Sequence, residues 1–330
     1  MHRTPFARRA LLGGAAALAA GLAARPGHAQ LLNRPARILV GFPPGGSTDT
    51  VTRLYAERMR PGFAPQILVE NRSGAGGRLA IETVKAATAD GTTVLLTPSS
   101  MLTIYPHIYT RTLRYDALTE LTPVSPVCTF PFGFAVSAAH PAKDLAGFVA
   151  WAKTQGAAVP FASPAAGSLP HFLGMQLGKA IGVEMSHVPY RGAAPALQDL
   201  LAGSIPAVMV VLGEATEMHH AGQLRILAHT APMRLPRLPA LPNFAELGFP
   251  ALTAEEWFGM LLPAGAPAEV VEGLQRSIAA AAARPDMVEA LQKLEYRALT
   301  SSPAEFAARI RADRERMGPI VRESGFKAEE

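Results

Sequence analysis

Short apolar runs alternate along the chain with longer stretches whose apolar residues recur at helical spacing. The runs Arg37–Val40, Gln66–Val69, Thr93–Thr97, Phe132–Val136, Val159–Ala162, Met185–Val188, Ala207–Val211, Arg225–Ala228 and Trp257–Leu262 predict strands. Between most of them, Thr50–Arg60, Arg78–Ala87, Leu145–Lys153, Phe172–Ala180 and Pro195–Ala202 predict amphipathic helices. This alternation argues for an α/β chain of parallel sheets covered by helices. The C-terminal third reads as helical. Pro267 fits a first helical position ahead of Val270, Val271, Leu274 and Ile278 on one face. Pro285 starts a second helix, and Ser302-Pro303-Ala304-Glu305 forms a capping box before Phe306 and Ile310. Pro-rich connections at 123–131 and 232–250 fit two crossings between lobes, or ordinary surface loops.

The N-terminus changes the charge picture. The chain of 330 residues carries a formal net charge of +5, yet residues 1–29 hold Arg3, Arg8, Arg9 and Arg25 and no acid. Without that segment the charge is near +1, which leaves no electrostatic footprint for nucleic acid. Residues 1–29 read as an export signal: Arg8-Arg9, the apolar run Leu11–Leu22, and the small residues of Gly27-His28-Ala29. The run is short for a membrane span, although an uncleaved anchor is the alternative. Either a general secretory or a twin-arginine route fits. The expected mature protein is soluble, periplasmic and about 300 residues long. A hydrophobic fraction of 49% supplies a core, and the single Cys128 excludes an internal disulfide framework and a Cys-based zinc site.

Chemistry concentrates in the turns between strands and helices. Gly41-Phe42-Pro43-Pro44-Gly45-Gly46-Ser47-Thr48-Asp49 nearly matches a phosphate-binding loop, but Ser47 stands where that motif needs Lys, so an NTPase is rejected. Backbone amides and a helix N-terminus that suit a carboxylate remain; a tight turn with Ser47 as N-cap is the alternative. Three further turns repeat the pattern: Asn71–Gly77, Ser163–Pro170 and Pro189–Pro195. Four such turns, two in each half, suggest a cleft lined by helix N-termini at the C-terminal ends of strands.

No catalytic set, cofactor motif or metal-ligand spacing is legible, and the chain reads as a non-enzyme. Cys128 reads as a buried inert thiol, and adjacent His219-His220 as an exposed pair. His171 either faces the cleft or caps its helix locally. Glu255-Glu256, by adjacency, read as a solvated turn. Tyr190 could pack on a ligand, and Arg191 either pairs with a carboxylate or lies on the surface.

Gly41–Asp49, Val69–Gly77, His187–Leu197 and Trp257-Phe258-Gly259, in that order, resemble the Bug (Bordetella uptake gene) receptors, the extracytoplasmic solute-binding proteins of tripartite tricarboxylate transporters. The resemblance implies a two-lobed type II periplasmic binding protein. Each lobe would be a mainly parallel sheet flanked by helices, with the ligand cleft between the lobes. Residues 30–130 plus 252–330 would form one lobe and 131–251 the other. It implies a receptor that closes on a small organic carboxylate and delivers it to membrane transporter subunits. A periplasmic signalling adaptor, or an exported enzyme with His171 or Glu214 as base, are the competing readings. Carried over residue by residue, Phe42, Pro43, Gly46, Ser47, Thr48, Gly74 and Ala75 would hold one carboxylate. Ser163, Gly167, Ser168, His171, Tyr190 and Gly192 would complete the site from the other lobe. No cofactor and no metal are implied, and a monomer is expected. The run Pro206–Val211 lacks the acid the family often carries there, which disfavours amino-acid ligands; Glu214 follows it.

Overall fold

The computed structural model describes residues 30–328; the expected export signal at residues 1–29 lies outside them. The first lobe opens with β1 (Ala36–Val40), α1 (Ser47–Met59), β2 (Ile67–Asn71), α2 (Arg78–Lys85) and β3 (Thr93–Pro98). Two short helical turns, α3 (Ser100–Thr103) and α4 (Tyr105–Ile108), follow. The long strand β4 (Leu121–Ser137) runs into the second lobe. That lobe contains α5 (Leu145–Lys153), β5 (Val159–Ser163), α6 (Leu169–Ile181), β6 (Met185–Pro189), α7 (Ala193–Leu201), β7 (Ala207–Val211), α8 (Leu212–His220) and β8 (Leu224–His229). The chain returns through β9 (Glu255–Pro263) to α9 (Ala268–Ala282), α10 (Pro285–Lys293), β10 (Arg297–Ala298) and α11 (Pro303–Ser324).

Each lobe carries three parallel strands, in the orders β2–β1–β3 and β6–β5–β7. Antiparallel β9 and β4 join the two sets, giving β2-β1-β3-β9-β4-β7-β5-β6 overall. The inner parallel strands β3 and β7 are buried on both faces, which is why they read as unbroken apolar runs, whereas the edge strands β2 and β6 are buried only in part. Ile38 enters one core with Tyr55 and Leu96, while its neighbour Leu39 enters another with Leu95 and Phe306, as the two-residue period of a strand requires. The predicted capping box at Ser302 and Glu305 is present, with Ser302 N–H donating to Glu305 Oε2 at 2.9 Å.

The Pro-rich segment 123–131 is strand, not surface loop. It pairs antiparallel with β9 as far as Pro131, and from Phe132 the same strand pairs with β7. Register shifts at Pro123/Ser125 and Pro126/Cys128 absorb prolines, which cannot donate to the ladder. One strand therefore serves both lobes. The second Pro-rich segment, between β8 and β9, makes an irregular return over the surface, with a short 3-10 turn at Pro250–Leu252.

Candidate functional site

The four Gly-rich turns all follow the C-terminal ends of parallel strands: β1, β2, β5 and β6. In the first, α1 is not capped by Ser47. Gly46 is the N-cap and makes no side-chain cap bond. Asp49, one helical turn in, reaches back instead, accepting from Gly45 N–H at 2.9 Å. The Arg53 guanidinium grips the same carboxylate with two bonds of 2.9 and 3.0 Å. Asn71 donates to Asp49 Oδ1 and to Phe42 O, both at 3.0 Å, tying the second turn to the first. Gly41 and Gly77 touch backbone to backbone: a Cβ on Gly41 would lie 2.6 Å from Gly77 Cα.

Burial alone would push the Asp49 carboxyl up, but the bonds from Arg53, Gly45 and Asn71 outweigh it and hold the group below the usual carboxylate value. A lowered folded value means this stabilisation is complete above about pH 4 and vanishes as pH falls through the folded value. An Asp49→Ala variant is expected to lose about 2 kcal/mol at pH 7 and to show a shallower loss than the parent between about pH 4 and pH 2. Thermal denaturation across pH measures both.

In the second lobe, Tyr190 N–H donates to Ser163 O and Gly192 N–H to Pro164 O, each at 3.0 Å, locking the third and fourth turns together. Ser163, Gly167 and His171 lie buried behind the cleft wall rather than on it. Ser163 Oγ is 2.7 Å from His187 Nε2, and His171 Nδ1 accepts from Gly167 N–H at 3.0 Å. The two imidazoles stack with centroids 3.8 Å apart. Burial pushes His171 down to about 4 and His187, with help from His171, to about 3, so both are neutral at pH 7. Of the two readings of His171, local support of its turn is the one these contacts describe.

A partly open cavity lies between the lobes. Phe42, Pro43, Gly46, Ser47 and Thr48 line it from the first lobe, and Ser168 and Gly192 from the second. Gly74, Ala75 and Tyr190 line an adjoining outer groove that shares the Phe42–Pro43 ridge; Tyr190 Oη donates to Asp199 at 2.6 Å. The amides of the turns are only partly free. Gly45 N–H goes to Asp49, Gly167 N–H to His171, Gly192 N–H to Pro164 O, Leu169 N–H to Ser100 Oγ at 3.0 Å, and Ser47 N–H to Glu214 Oε1 at 2.9 Å.

Wall residues on β4 and β9 escaped the sequence reading. Glu256 is 4% exposed and lines the cavity, not a solvated turn. Adjacent strand residues point to opposite faces, so Glu255 pairs outward with Arg297 at 2.7 Å while Glu256 points inward. The Glu256 carboxylate accepts from Ser100 N–H at 2.8 Å and from the Ser99 and Ser100 hydroxyls. Phe130, Phe132 and Phe258, with Phe42, form the apolar wall. The extended pattern of β4 and β9 held the signal, but both strands are buried along most of their length, so no alternation marked which residues face the cleft. Among the described residues no helix is long and apolar enough to cross a membrane, and no cluster of His, Cys, Asp and Glu could hold a metal ion.

Residues 51–326 match the family model described as Tripartite tricarboxylate transporter family receptor. Protein BugT of Bordetella pertussis is 32% identical over 313 residues, covering 93% of this chain and 94% of its own. Among solved structures, the periplasmic binding protein BugD superposes with a TM-score of 0.84 at 29% identity, over 90% of this chain and 100% of its own. An R. palustris protein solved with adipate also gives 0.84 at 29% identity, over 88% and 97%.

Proposed function

Since the chain belongs to the receptor family of the tripartite tricarboxylate transporters, we propose that it captures one small organic carboxylate between its lobes in the periplasm and passes it to a membrane transporter without chemical change. The observation that carries this reading is the cavity between the lobes, to which both contribute the first turns of helices. The N-terminus of α7 is the favoured seat for the carboxylate. Ala193 and Ala194 line the cavity there, the first turn holds no acid, and Arg191 stands at the mouth with no ion pair among the described residues. Thr48, in the first turn of α1, faces the same space. The adipate in the R. palustris neighbour supports a carboxylate as the ligand class.

Residues 30–130 plus 252–330 and residues 131–251 would move as the two closing bodies, hinged where β4 changes partners and where the chain returns to β9. Closure by one copy onto one ligand needs no second subunit, so the receptor is read as a monomer. The test is a thermal-shift screen of mono-, di- and aromatic carboxylates. A ligand at 100 times its Kd is expected to add about 2.7 kcal/mol of stability. Silence to every carboxylate, with a response to a sugar or to a cation lacking an acid group, would sink the reading.

A further inference from the structure

The helices α1 and α6 bring their first turns to the cavity from opposite lobes, and neither is capped by its own N-cap side chain. Gly46 has no side chain to give, and the Ser168 hydroxyl is spent on Ala165 O. The first amides of a helix have no partner within it and need an acceptor from elsewhere. For both helices that acceptor comes from the other lobe. Glu214, on α8 of the second lobe, takes the Ser47 N–H of α1 at 2.9 Å, and the Ser47 hydroxyl meets the same carboxyl. Ser100 Oγ, in the first lobe, takes the Leu169 N–H of α6 at 3.0 Å.

Ser100 is free to accept because Glu256 takes its proton. The Glu256 carboxylate is buried and accepts from the Ser100 hydroxyl, from Ser100 N–H at 2.8 Å and from the Ser99 hydroxyl. A carboxylate has no proton to give, so the Ser100 hydroxyl donates to it and keeps a lone pair for Leu169. The charge of Glu256 thus stands one hydroxyl away from the positive end of α6, as that of Glu214 stands on the positive end of α1.

We propose that Glu214 and Glu256 are positioning residues for closure: each lobe seats a carboxylate, directly or through Ser100, on the first amide of a helix in the other, and the two contacts hold the lobes together without help from a ligand. The inference rests on the two-body closure reading and names the residues that set its balance. Residues 47, 100 and 256 lie on one body and residues 169 and 214 on the other, so moving the lobes apart must break both bonds. A ligand then tips an equilibrium that the protein's own acids already weight toward closure.

Proline at the first position of a helix removes that amide and is at home there. Ser47→Pro and Leu169→Pro therefore each delete one donor between the lobes and keep the helix. The residues before them, Gly46 with ψ 171° and Ser168 with ψ 165°, already have the extended backbone that proline demands of its predecessor. Nitroxides on Lys153→Cys and Ala312→Cys, exposed positions on opposite bodies, report the separation of the lobes by pulsed electron resonance, and the buried Cys128 stays unlabelled. The protein is freed of small molecules by washing in denaturant and refolding. Without ligand, the parent is expected to show a population at the distance that the closed arrangement fixes. Each proline variant should lower the closed-to-open ratio at least about fivefold, and the double variant by about the product. Glu214→Ala should match Ser47→Pro. Glu256→Ala should lower the ratio in the parent and leave it unchanged in Leu169→Pro, because the acid acts through that amide. A merely structural role would lower Tm and leave the distances alone. A parent that is wholly open without ligand overturns the inference, as does an unchanged ratio in the folded proline and alanine variants. An equal effect of Glu256→Ala in both backgrounds overturns the role given to Glu256. The carboxylate screen is read separately, so each of these failures leaves the receptor reading standing.

Discussion

A Phe130→Ala receptor is expected to lose about 3–5 kcal/mol of stability, the range for truncating a buried aromatic residue. Phe130 is 1% exposed and sits at the point where β4 changes partner strands. Its ring lies 4.4 Å from that of Phe258, 5.3 Å from Tyr296 and 5.8 Å from Phe132. Removing it takes contacts from both lobes at once, and the void opens into the ligand cavity that the ring lines. Denaturant unfolding with a shared m-value gives the loss, and calorimetry should show a fall in Tm of about 10 °C. Phe130→Leu, which keeps most of the volume, should cost under about 2 kcal/mol. A loss below about 1 kcal/mol for the alanine variant would mean that this ring is not what packs the junction of the lobes.

The same strand shows why some of the molecule was legible in the sequence and some was not. The parallel strands and their following helices are local patterns. Apolar runs, a Gly turn and a helical period lie within about thirty residues of one another, so β1–α1, β5–α6 and β6–α7 could be placed from the chain alone. β4 defeated that reading because its prolines suggest a linker, while bulges and the pairing with β9 hold them in a ladder. The site divides the same way. The Gly-loop residues lining the cavity come from motifs readable in order. Gly74 and Ala75 share that motif, yet the Phe42–Pro43 ridge leaves them on the outer groove. Glu214 meets Ser47 across 167 residues and Glu256 meets Ser100 across 156, so no local spacing announces either contact.

Substitution of Gly192 by leucine is expected to weaken ligand binding about 100-fold, near 2.7 kcal/mol, while leaving a folded protein. Gly192 caps α7 at φ +98°, and a Cβ there would stand 3.6 Å from Pro43 Cδ, on the opposite lobe. A Cβ alone just fits; the isobutyl group beyond it must displace the Phe42–Pro43 turn, which holds the lobes as they stand around the cavity. The φ of +98° and ψ of 170° at Gly192 fall where essentially only glycine sits, which adds a cost of about 1–3 kcal/mol felt whether or not ligand is bound. Gly182→Leu separates the two effects. That residue, at the end of α6, has φ +69° in the milder left-handed region and open space around its Cβ, so it carries a positive-φ strain without the contact between lobes. Both variants should lose thermal stability without ligand, Gly192→Leu the more of the two, and calorimetric titration with the best carboxylate from the screen should show the affinity loss at Gly192 alone. Equal affinity in the two variants would mean that the approach of Gly192 to Pro43 plays no part in closing the lobes on ligand.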